Sequence, residues 1–366
     1  MSNTRYQRQH LLPEWGAAAQ EKLSRARVLV VGAGGLGCPA LQYLAAAGTG
    51  TLGIADGDRV YLTDLHRQIL YTAEDVGALK AGRAAEYLHR MNPDVRVIPY
   101  PFRLTTANTL DTLGGYDLVL DATDNFGTRY MLGDACALLG LPLVFGSVSR
   151  FEGQVAVFRP PVSYRDLFPN PPAPGEVPNC EEAGVLGVVA GIIGSLQALE
   201  ALKLVTGLGR PLTGRLLTYR ALDQQFYEVE IGPRDGAAAA PRDRTAFRDW
   251  SYGDGCDATQ NTGATQHTGA AYTTIDNKTF DALRQQEGIV VLDVRDPVER
   301  PLVHEFPHEQ WPLSRLRTSL GAFTGRTIVV FCQSGLRSRE AAALLAKENT
   351  VYQLRGGILG WLGEQR

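Results

Sequence analysis

The segment RVLVVGAGGLG, from Arg27 to Gly37, sets four consecutive apolar residues before a glycine-rich turn. The short apolar run from Val28 to Val31 favours a buried β-strand, and the residues after the turn favour a helix. Glycines between a strand and a helix permit a tight turn and let the backbone approach a phosphate at the positive end of the helix. The glycines of this G-x-G-x-x-G pattern are Gly32, Gly34 and Gly37. The segment therefore predicts a nucleotide-binding strand–turn–helix unit.

Further apolar runs alternate with helical patterns along the next part of the chain. Cys38 to Ala47 predicts a helix, while TLGIADGD, YDLVLDATDN and LPLVFGSV predict later strands. Alternation of this kind predicts an α/β fold with a mainly parallel sheet that helices cover on both faces. We therefore expect residues 1–235 to form a Rossmann-like domain.

The composition changes after this region. Residues 232–271 are rich in Gly, Ala, Thr, Asp and Gln and poor in large apolar residues, which is typical of a linker. Beyond it, GIVVLDVRD, TIVVFCQSGLRS and TVYQLRGGILGWL predict strands separated by helices. We therefore divide the chain into a domain at 1–235, a flexible linker at 236–271 and a smaller α/β domain at 272–366.

Composition and charge argue against several classes of protein. The net charge of -3 gives no reason to expect a nucleic-acid partner. The five cysteines, an odd number with no CxxC pair, argue against a disulfide framework and for a reducing compartment. The N-terminus shows no apolar signal segment. The longest uncharged stretch, 183–199, is short for a membrane span and contains Gln197, so it predicts a buried helix. We expect a cytoplasmic protein that does not bind membranes.

Two carboxylates follow the second predicted strand. Asp56 and Asp58 lie about 20 residues beyond the glycine turn, where a carboxylate can accept hydrogen bonds from ribose hydroxyls. This pattern alone would favour NAD, so an NAD-dependent oxidoreductase is one alternative. The glycine pattern by itself does not distinguish NAD from ATP.

Cations further along the chain favour ATP. Arg67 in DLHRQ and Lys80 in GALKAGR suit a triphosphate that is attacked at its α-phosphorus. DATDN places Asp121, Asp124 and Asn125 at the C-terminal end of a strand, where α/β sheets bind ligands. The alternative is that Arg67 and Lys80 are surface cations and that Asp124 caps a helix.

Seven motifs together resemble one enzyme family. RYQRQ, VVGAGGLGCPALQYLAAAG, DGDRVYLTDLHRQILY, VGALKA, DATDNFGTRY, EGQVAVF and CEEAGVLG occur in the order seen in the adenylating enzymes of the molybdopterin-synthase and thiamine sulfur-carrier pathways, relatives of ubiquitin E1. The resemblance covers nearly all of residues 4–230. It implies adenylation, with ATP and magnesium, of the C-terminal glycine of a ubiquitin-like sulfur-carrier protein ending in Gly-Gly.

The resemblance also implies roles for individual residues. Asp124 would lie at the magnesium and reaction centre, and Arg8 would reach into the partner subunit's site in a homodimer. Asp64 stands where the family usually has asparagine, and a carboxylate there would repel phosphates unless it faces the metal. The implied nucleotide site comprises Gly32, Gly34, Gly35, Gly37, Asp56, Thr63, Asp64, Arg67, Lys80, Asp124 and Asn125.

Members of this family often carry two CxxC pairs that bind a structural zinc ion. Ser163 and Asp166, in SYRDLFP, stand in the place of the first pair, and the place of the second pair retains only Cys256. One cysteine cannot form a tetrahedral thiolate site, so we expect no zinc. The segment YRDLFPNPPAPGEVPNC resembles the actinobacterial fused type of this enzyme.

A second motif lies near the C-terminus, in FCQSGLRS. Cys332 follows a predicted strand and precedes a predicted helix, and with Arg337 nearby this position favours a nucleophilic thiolate. Such loops serve either phosphate-ester hydrolysis or sulfur transfer. Tyrosine-phosphatase loops have one more residue between cysteine and arginine, so this tighter cradle suits a persulfide. The loop comprises Cys332, Gln333, Ser334, Gly335, Leu336 and Arg337.

The C-terminal domain resembles rhodaneses over about residues 273–364. LDVRDPVE and LRGGILGW match the rest of that domain, although LVHEFPHEQWPLSRL stands where GHIPGA is usual. This departure affects the outer edge of the sulfur-donor site. The donor would be a cysteine desulfurase or thiosulfate.

Three further cysteines have different expected roles. Cys180, in PNCEEAGV, matches the crossover-loop cysteine that forms a covalent link to the carrier in related enzymes, and a loop cysteine with no role is the alternative. Cys38 and Cys136 lie in helical contexts rich in alanine and leucine, and we expect both in the core.

The two domains are therefore expected to act in turn on one substrate, first adenylating the carrier and then transferring persulfide sulfur to give a thiocarboxylate. Three alternatives remain: an E1-like enzyme that forms only an adenylate or a thioester, an NAD-dependent oxidoreductase, and a non-catalytic protein that binds a ubiquitin-like partner. The sequence does not specify the pathway that the carrier serves.

Overall fold

The computed structural model shows two compact units, one within residues 1–260 and the other within residues 261–366. The residues that it describes are 4–171, 184–234, 240–252, 272–286, 288–297, 299, 301–319, 322–333 and 335–364. The domain boundaries at 235 and 272 stay predictions.

The first unit is an α/β fold. Its strands are β1 (Arg27–Val31), β2 (Thr51–Ala55), β3 (Arg96–Tyr100), β4 (Leu118–Asp121), β5 (Leu143–Ser149), β6 (Glu152–Phe158), β7 (Arg215–Arg220) and β8 (Gln225–Glu230). Its α-helices in the described ranges are α1 (Gln7–His10), α2 (Gly16–Arg25), α3 (Gly37–Ala47), α4 (Lys80–Met91), α5 (Thr109–Leu113), α6 (Phe126–Leu139), α7 (Tyr164–Leu167), α8 (Gly187–Thr206) and α9 (Arg244–Arg248). Short 3-10 helices span Thr4–Tyr6, Leu62–Asp64 and Ala73–Asp75.

One sheet carries the strands of this unit, in the order β3-β2-β1-β4-β5-β6-β7-β8. Neighbouring strands are parallel from β3 to β5 and antiparallel from β5 to β8. The predicted α/β class with a parallel sheet is confirmed, with an antiparallel edge added. The strand order reverses between β1 and β4, and this reversal opens a crevice at the carboxyl ends of those strands.

Helices cover both faces of the sheet, as the apolar residues of β1 require. Val28 and Val30 belong to the core that includes residues of α3, α4 and α8, while Leu29 and Val31 belong to the core that includes residues of α6. Side chains alternate between the faces of a strand, so a strand that is apolar throughout must be buried on both sides. The glycine turn after β1 is thereby held between two packed layers.

Helix α8 is long and apolar enough to cross a membrane by length and composition. A Cβ at Gly194 would lie 2.2 Å from the Leu36 carbonyl oxygen. Only glycine at position 194 therefore lets the helix approach the start of α3 this closely. Gln197 is fully buried, and its Nε2 donates to the Asp121 carbonyl oxygen at 2.6 Å. This face of α8 is therefore part of the core, as predicted, while Val188 and Leu199 on the same helix are exposed.

A buried ion pair joins α6 to α7. Arg165 donates to both carboxylate oxygens of Asp134, at 2.7 and 2.8 Å, and the Tyr252 hydroxyl donates to the same carboxylate at 2.9 Å. The charged side chains are 8% and 5% exposed. Since three donors satisfy one carboxylate away from water, the cluster fixes the relative positions of three chain segments.

Part of the predicted linker packs on the first unit. Within the described residues 240–252, Asp243 caps α9 by accepting from the Ala246 N–H, and Phe247 is fully buried in the core. Here the structure differs from the prediction of a flexible linker. The aromatic residues Phe247 and Tyr252 pack on the first unit, although the average composition of the stretch around them is polar.

The residues that replace the first CxxC pair bond to each other. Asp166 Oδ2 accepts from the N–H and the hydroxyl of Ser163 at 2.7 and 2.8 Å, and its Oδ1 accepts from the Arg234 N–H at 2.8 Å. In the part of the chain that the structure describes, no cluster of three or more His, Cys, Asp or Glu side chains could hold a metal ion. Cys256 lies outside the described residues, and the absence of zinc stays a prediction.

The second unit is a smaller α/β fold. Its parallel sheet contains β9 (Thr273–Ile275), β10 (Ile289–Asp293), β11 (Glu309–Gln310), β12 (Thr327–Phe331) and β13 (Thr350–Leu354), in the order β11-β10-β12-β13-β9. Its described helices are α10 (Asn277–Leu283), α11 (Leu313–Thr318), α12 (Leu336–Leu345) and α13 (Gly357–Glu364). Successive residues of β12 alternate between two cores on opposite faces. The predicted second α/β fold is confirmed.

Replacing Asp134 by alanine should destabilise the first unit by about 3–5 kcal/mol, because the change leaves the Arg165 guanidinium buried without its partner. Denaturation in urea, followed by tryptophan fluorescence, measures the loss. The control is Glu21→Ala, which breaks a pair whose side chains are 77% and 63% exposed and should cost under about 1 kcal/mol. Equal losses in the two variants would contradict a structural role for the buried pair.

Candidate functional site

The glycine turn lies between β1 and α3 and touches the end of β4. Gly32 has a φ of +94°, and a Cβ there would lie 2.7 Å from the Ala122 carbonyl oxygen. A Cβ at Gly37 would lie 1.9 Å from the Gly32 carbonyl oxygen. Both positions therefore require glycine, and the turn leaves backbone N–H groups at the start of α3 for an anion.

Asp56, at the end of β2, is held against this turn. Its Oδ2 accepts from the Ala33 N–H and its Oδ1 from the Asp58 N–H, both at 2.8 Å. Burial raises the pKa of Asp56, while the nearby Lys80 ammonium and the two N–H groups act in the opposite direction. The Asp56 carboxylate is thus held beside the glycine turn, where a side chain that binds ribose hydroxyls would need to lie.

Asp64 joins the two predicted phosphate-binding cations. Its Oδ1 lies 3.1 Å from Arg67 Nη2, and its Oδ2 lies 3.4 Å from Lys80 Nζ. All three side chains are at least four-fifths buried. The expected repulsion between Asp64 and phosphates is therefore offset, because its carboxylate faces two cations.

Three further residues of the predicted nucleotide site lie near Asp64, Arg67 and Lys80. Thr63 is exposed, and its carbonyl oxygen accepts from Arg67 Nη1 at 2.9 Å. A Cβ at Gly35 would lie 3.5 Å from the Arg67 Cγ, and one at Gly34 would lie 3.6 Å from Gln68 Nε2. Arg67 is therefore packed against the glycine turn and is not a free surface cation.

Asp124 and Asn125 follow β4 at the crevice. Asn125 is the N-cap of α6, since its Oδ1 accepts from the Thr128 N–H at 2.9 Å. Asp124 is exposed one residue earlier. The capping role considered for Asp124 thus belongs to Asn125, and the Asp124 carboxylate is available to solvent.

One cation at this site escaped the sequence reasoning. Arg103 follows β3 and donates to Asp58 Oδ1 at 2.7 Å, while a Cβ at Gly57 would lie 2.7 Å from its backbone nitrogen. Burial lowers the pKa of Arg103, but Asp58, Asp56 and Asp124 raise it above its ordinary value. The sequence signal that could have indicated Arg103 is its position just after β3, the strand that pairs with β2.

Arg8 does not join the other site residues. It is exposed on α1, and its neighbour Gln9 donates to the Ala47 carbonyl oxygen at 3.1 Å. Ala47 ends α3, an 11-residue helix whose first residue is Gly37, so the contact lies about 16 Å from the glycine turn. The structure therefore places Arg8 at the opposite end of α3 from the loop.

The second candidate site is the turn between β12 and α12. Cys332 is 1% exposed, and its Sγ accepts from the Gly335 N–H at 3.2 Å. Gly335 has a φ of +97°, and a Cβ at Gly357 would lie 2.4 Å from the Cys332 carbonyl oxygen. Glycines thus let the chain wrap closely around the sulfur. Gln333 is half-buried beside it.

Arg337 is engaged at the rim of this loop. Its Nη1 and Nη2 donate to the two carboxylate oxygens of Glu299 at 2.5 and 2.6 Å. The guanidinium therefore shares its charge with a carboxylate from the segment after β10. Sequence reasoning noted LDVRDPVE only as a resemblance and missed this pairing of Glu299.

The other predicted residues fall into two groups. Cys180 and Ser334 lie outside the described residues. Cys38 and Cys136 are buried, which confirms their expected place in the core. Burial raises the pKa of the Cys38 thiol to about 12, although an N–H of Leu70 and the Lys80 charge act against it, so this thiol is not a nucleophile at neutral pH.

Two protein families match the chain. The ThiF family matches residues 6–239, and the rhodanese-like domain matches residues 276–364. Solved structures of MccB from E. coli share the fold: one, with MccA-N7isoASN, has a TM-score of 0.58 at 19% identity and covers 65% of this chain and 75% of that chain.

Three curated relatives illustrate the similarity. The sulfur carrier protein adenylyltransferase of Thermus thermophilus is 55% identical over 234 residues, 62% of this chain and 86% of that protein. The probable adenylyltransferase/sulfurtransferase MoeZ of Mycobacterium tuberculosis is 40% identical over 368 residues, 98% of this chain and 92% of that protein. Adenylyltransferase and sulfurtransferase MOCS3 of Aedes aegypti is 48% identical over 245 residues, 66% of this chain and 56% of that protein. The match to MoeZ along the chain confirms the predicted fusion.

The Glu299–Arg337 pair should make the stability of the second unit depend on acid. Burial raises the pKa of Glu299, but Arg337 and the Asp296 N–H together lower it below its ordinary value of 4.5. A carboxylate with a lowered folded-state pKa contributes stability that is complete above pH 4.5 and is lost as the pH falls through the folded-state pKa. Urea denaturation at pH values from above 4.5 downwards should show that acid lowers the free energy of unfolding less in Glu299→Gln than in the native chain. Equal losses would mean that the pair contributes nothing.

Proposed function

The chain belongs to the ThiF family and is an adenylyltransferase with a C-terminal sulfurtransferase domain, and on this premise we propose that it converts the C-terminal glycine of a ubiquitin-like sulfur-carrier protein to a thiocarboxylate. The observation that carries the proposal is the convergence of the glycine turn, Asp56 and the cations Arg67 and Lys80 at one edge of the first sheet. The Cys332 loop supplies a site for the second step.

ATP is the proposed first substrate. Its phosphates would lie at the N-terminal end of α3, where the glycine turn leaves N–H groups without side chains in the way. Asp56 would accept hydrogen bonds from the ribose hydroxyls. Arg67 and Lys80 would then neutralise phosphate oxygens, since both ammonium and guanidinium groups bind them strongly.

The adenylation step joins the carrier to AMP. One oxygen of the carrier's terminal carboxylate attacks the α-phosphorus of ATP, the bond from that phosphorus to the bridging oxygen breaks, and pyrophosphate leaves with the electron pair. Cations fixed beside the phosphates stabilise the charge that develops in the transition state. The step is needed because a carboxylate resists nucleophilic attack, whereas AMP is a good leaving group.

Magnesium is part of the proposal. Asp124 offers an exposed carboxylate at the crevice, and Mg²⁺ usually binds one or two protein carboxylates together with substrate phosphates. The Oδ1 of Asn125 is engaged in capping α6, so Asp124 is the expected protein ligand. When bound, the ion would supply further positive charge to the phosphates.

The sulfur step would begin at Cys332. Its thiolate attacks the sulfane sulfur of thiosulfate, sulfite leaves, and a persulfide forms on Cys332; a cysteine desulfurase would deliver sulfur from its own persulfide instead. The terminal sulfur then attacks the acyl carbon of the adenylate, and AMP leaves. The product is an acyl disulfide that joins the carrier to Cys332.

Release of the thiocarboxylate requires cleavage of that S–S bond, and two roles remain open for Cys180. In one, the Cys180 thiolate attacks Cys332 Sγ, the carrier thiocarboxylate leaves, and a cellular thiol reduces the resulting disulfide. In the other, Cys180 first takes the acyl group from AMP as a thioester, the persulfide displaces it, and a cellular thiol cleaves the acyl disulfide.

A homodimer in a reducing, cytoplasmic compartment completes the proposal. Arg8 is exposed at the far end of α3 from its own glycine turn, which supports a role for it at the nucleotide site of a second copy. Cys38, Cys136 and Cys332 are free thiols, as a reducing compartment would keep them. The small net charge and the buried face of α8 give no support to nucleic-acid or membrane partners.

Intact mass spectrometry of a carrier ending in Gly-Gly tests both steps in the presence of ATP, magnesium, thiosulfate and a thiol reductant. The native chain should replace one carboxylate oxygen of the carrier by sulfur. Cys332→Ser should still release pyrophosphate but give no thiocarboxylate, whereas Lys80→Met should reduce ATP–pyrophosphate exchange by roughly 100-fold or more, because one charge that stabilises the transition state is lost. A native chain that binds NADH and shows no exchange would overturn the proposal. Equal thiocarboxylate yields from the native chain and Cys332→Ser would overturn the sulfur step.

The Asp64→Asn variant tests how the phosphate-binding cations are held. Asparagine keeps the oxygen that accepts from the Tyr61 N–H but removes the charge that competes with phosphates for Arg67 and Lys80. We expect the KM for ATP to fall roughly three- to tenfold, which corresponds to about 1 kcal/mol. Initial rates of pyrophosphate exchange at varied ATP measure the change.

Asp75→Asn is the matched control. Asp75 also ends a 3-10 helix, accepts from the N–H three residues earlier and pairs with an arginine, Arg83. This substitution should leave the KM for ATP unchanged. A higher KM in Asp64→Asn would contradict this expectation and mean that orientation of the cations by the carboxylate outweighs its competition with phosphates.

A further inference from the structure

A fully buried glutamine lies beneath the Cys332 loop. Gln353 is on β13, two residues after Val351, which belongs to the same apolar core as Cys332. Alternation along a strand puts Val351 and Gln353 on one face, so the glutamine is a polar residue in an apolar layer. Buried polar groups need hydrogen-bond partners, and the partners of Gln353 indicate its role.

Gln353 contacts the carbonyl group of Gly335. Its Nε2 lies 3.3 Å from that oxygen, 3.0 Å from Ser338 Oγ and 2.5 Å from the Leu354 carbonyl oxygen. Ser338, also fully buried, donates from its hydroxyl to the same Gly335 oxygen at 3.1 Å. The Ser338 hydroxyl and the Gln353 amide, whose two N–H groups are shared among three acceptors, therefore both contact the Gly335 carbonyl group.

The position of this carbonyl fixes the N–H groups next to it. In a trans peptide the C=O and the following N–H point in opposite directions, so the N–H of Leu336 is turned away from Gln353. The N–H of Gly335 already donates to Cys332 Sγ. Gly335 is left-handed and the next residue is helical, and consecutive N–H groups in such a turn form a concavity that binds anions.

One polar atom of Gln353 has no partner in the part of the chain that the structure describes. Among the described residues, Gln353 Oε1 has no hydrogen-bond partner, although it is buried. A buried unpaired oxygen is unfavourable, and an apolar side chain of the same length would avoid it. Packing alone therefore does not explain a glutamine at this position. The contact of its N–H groups with the loop does.

We propose that Gln353 is a positioning residue of the persulfide loop, whose amide fixes the Gly335 peptide so that the loop presents its N–H groups to the negatively charged terminal sulfur on Cys332. This role presupposes the proposed sulfur transfer, in which Cys332 takes the sulfane sulfur of thiosulfate and sulfite leaves. Gln353 touches neither sulfur donor nor carrier. It acts through Gly335.

The test compares Gln353→Met with Val351→Ala in the full-length chain. Methionine matches glutamine in length but cannot donate, whereas Val351→Ala weakens the same face of β13 without a contact to Gly335. Two readouts apply: the rate of iodoacetamide alkylation of Cys332 against pH, followed by peptide mass spectrometry, and the kcat/KM for sulfur transfer from thiosulfate to cyanide.

We expect Gln353→Met to raise the midpoint pH of Cys332 alkylation by about one unit and to lower kcat/KM for thiosulfate roughly tenfold, since the anionic sulfur loses an oriented donor. Val351→Ala should lower the melting temperature and leave both readouts unchanged. ATP–pyrophosphate exchange, which uses the first unit, should be the same in all chains. Ser338→Ala removes the second donor to the same carbonyl and should shift the midpoint in the same direction by less.

Two results would overturn this role. If Gln353→Met changes only the melting temperature, as Val351→Ala does, the glutamine is a packing residue. If Gln353→Met does not fold, an unchanged midpoint in Ser338→Ala has the same meaning. A native chain that forms no persulfide on Cys332 would instead overturn the proposed function, and the role of Gln353 with it.

Discussion

In both units the reactive groups lie where a parallel strand ends in a tight turn and a helix begins. Both sites depend on the close approach of backbone segments at these turns. A Cβ at Gly37 would lie 1.9 Å from the Gly32 carbonyl oxygen, and one at Gly357 would lie 2.4 Å from the Cys332 carbonyl oxygen. A side chain at Gly37 would push its own turn open, and one at Gly357, where α13 begins, would push against the Cys332 turn. The N–H groups that face an anion would then lose their common direction, since that direction follows the path of the backbone.

Around each turn, carboxylates hold the cations in place before any substrate arrives. Asp64 lies between Arg67 and Lys80 in the first unit, and Glu299 binds both ends of the Arg337 guanidinium in the second. Cations that are already oriented lose little conformational entropy when an anion binds, which is the advantage of a preorganised site. The same carboxylates compete with that anion, so each pair sets a balance between orientation and affinity.

The sequence predicted the features that depend on local spacing and left out those that depend on register. The glycine turn, DATDN and the cysteine loop are each contiguous, so their residues could be assigned directly. Arg103 could not be found in this way, because its contact with Asp58 arises only from the pairing of β2 with β3. Gln353 lies 18 residues from Gly335 in the chain, and the alignment of β13 beside β12 brings them together. Phe247 was hidden in a polar stretch whose average composition indicated a linker.

The central claim is that the sulfur carried by Cys332 becomes the sulfur of the thiocarboxylate on a carrier activated by the same chain. A single-turnover experiment tests it most directly: the chain is loaded with thiosulfate labelled in its sulfane sulfur, freed of excess donor, and mixed with carrier and magnesium, with or without ATP. The account predicts that the label moves from Cys332 to the carrier's terminal glycine, and only when ATP is present. A label that stays on Cys332 while the carrier is consumed as an adenylate would contradict it.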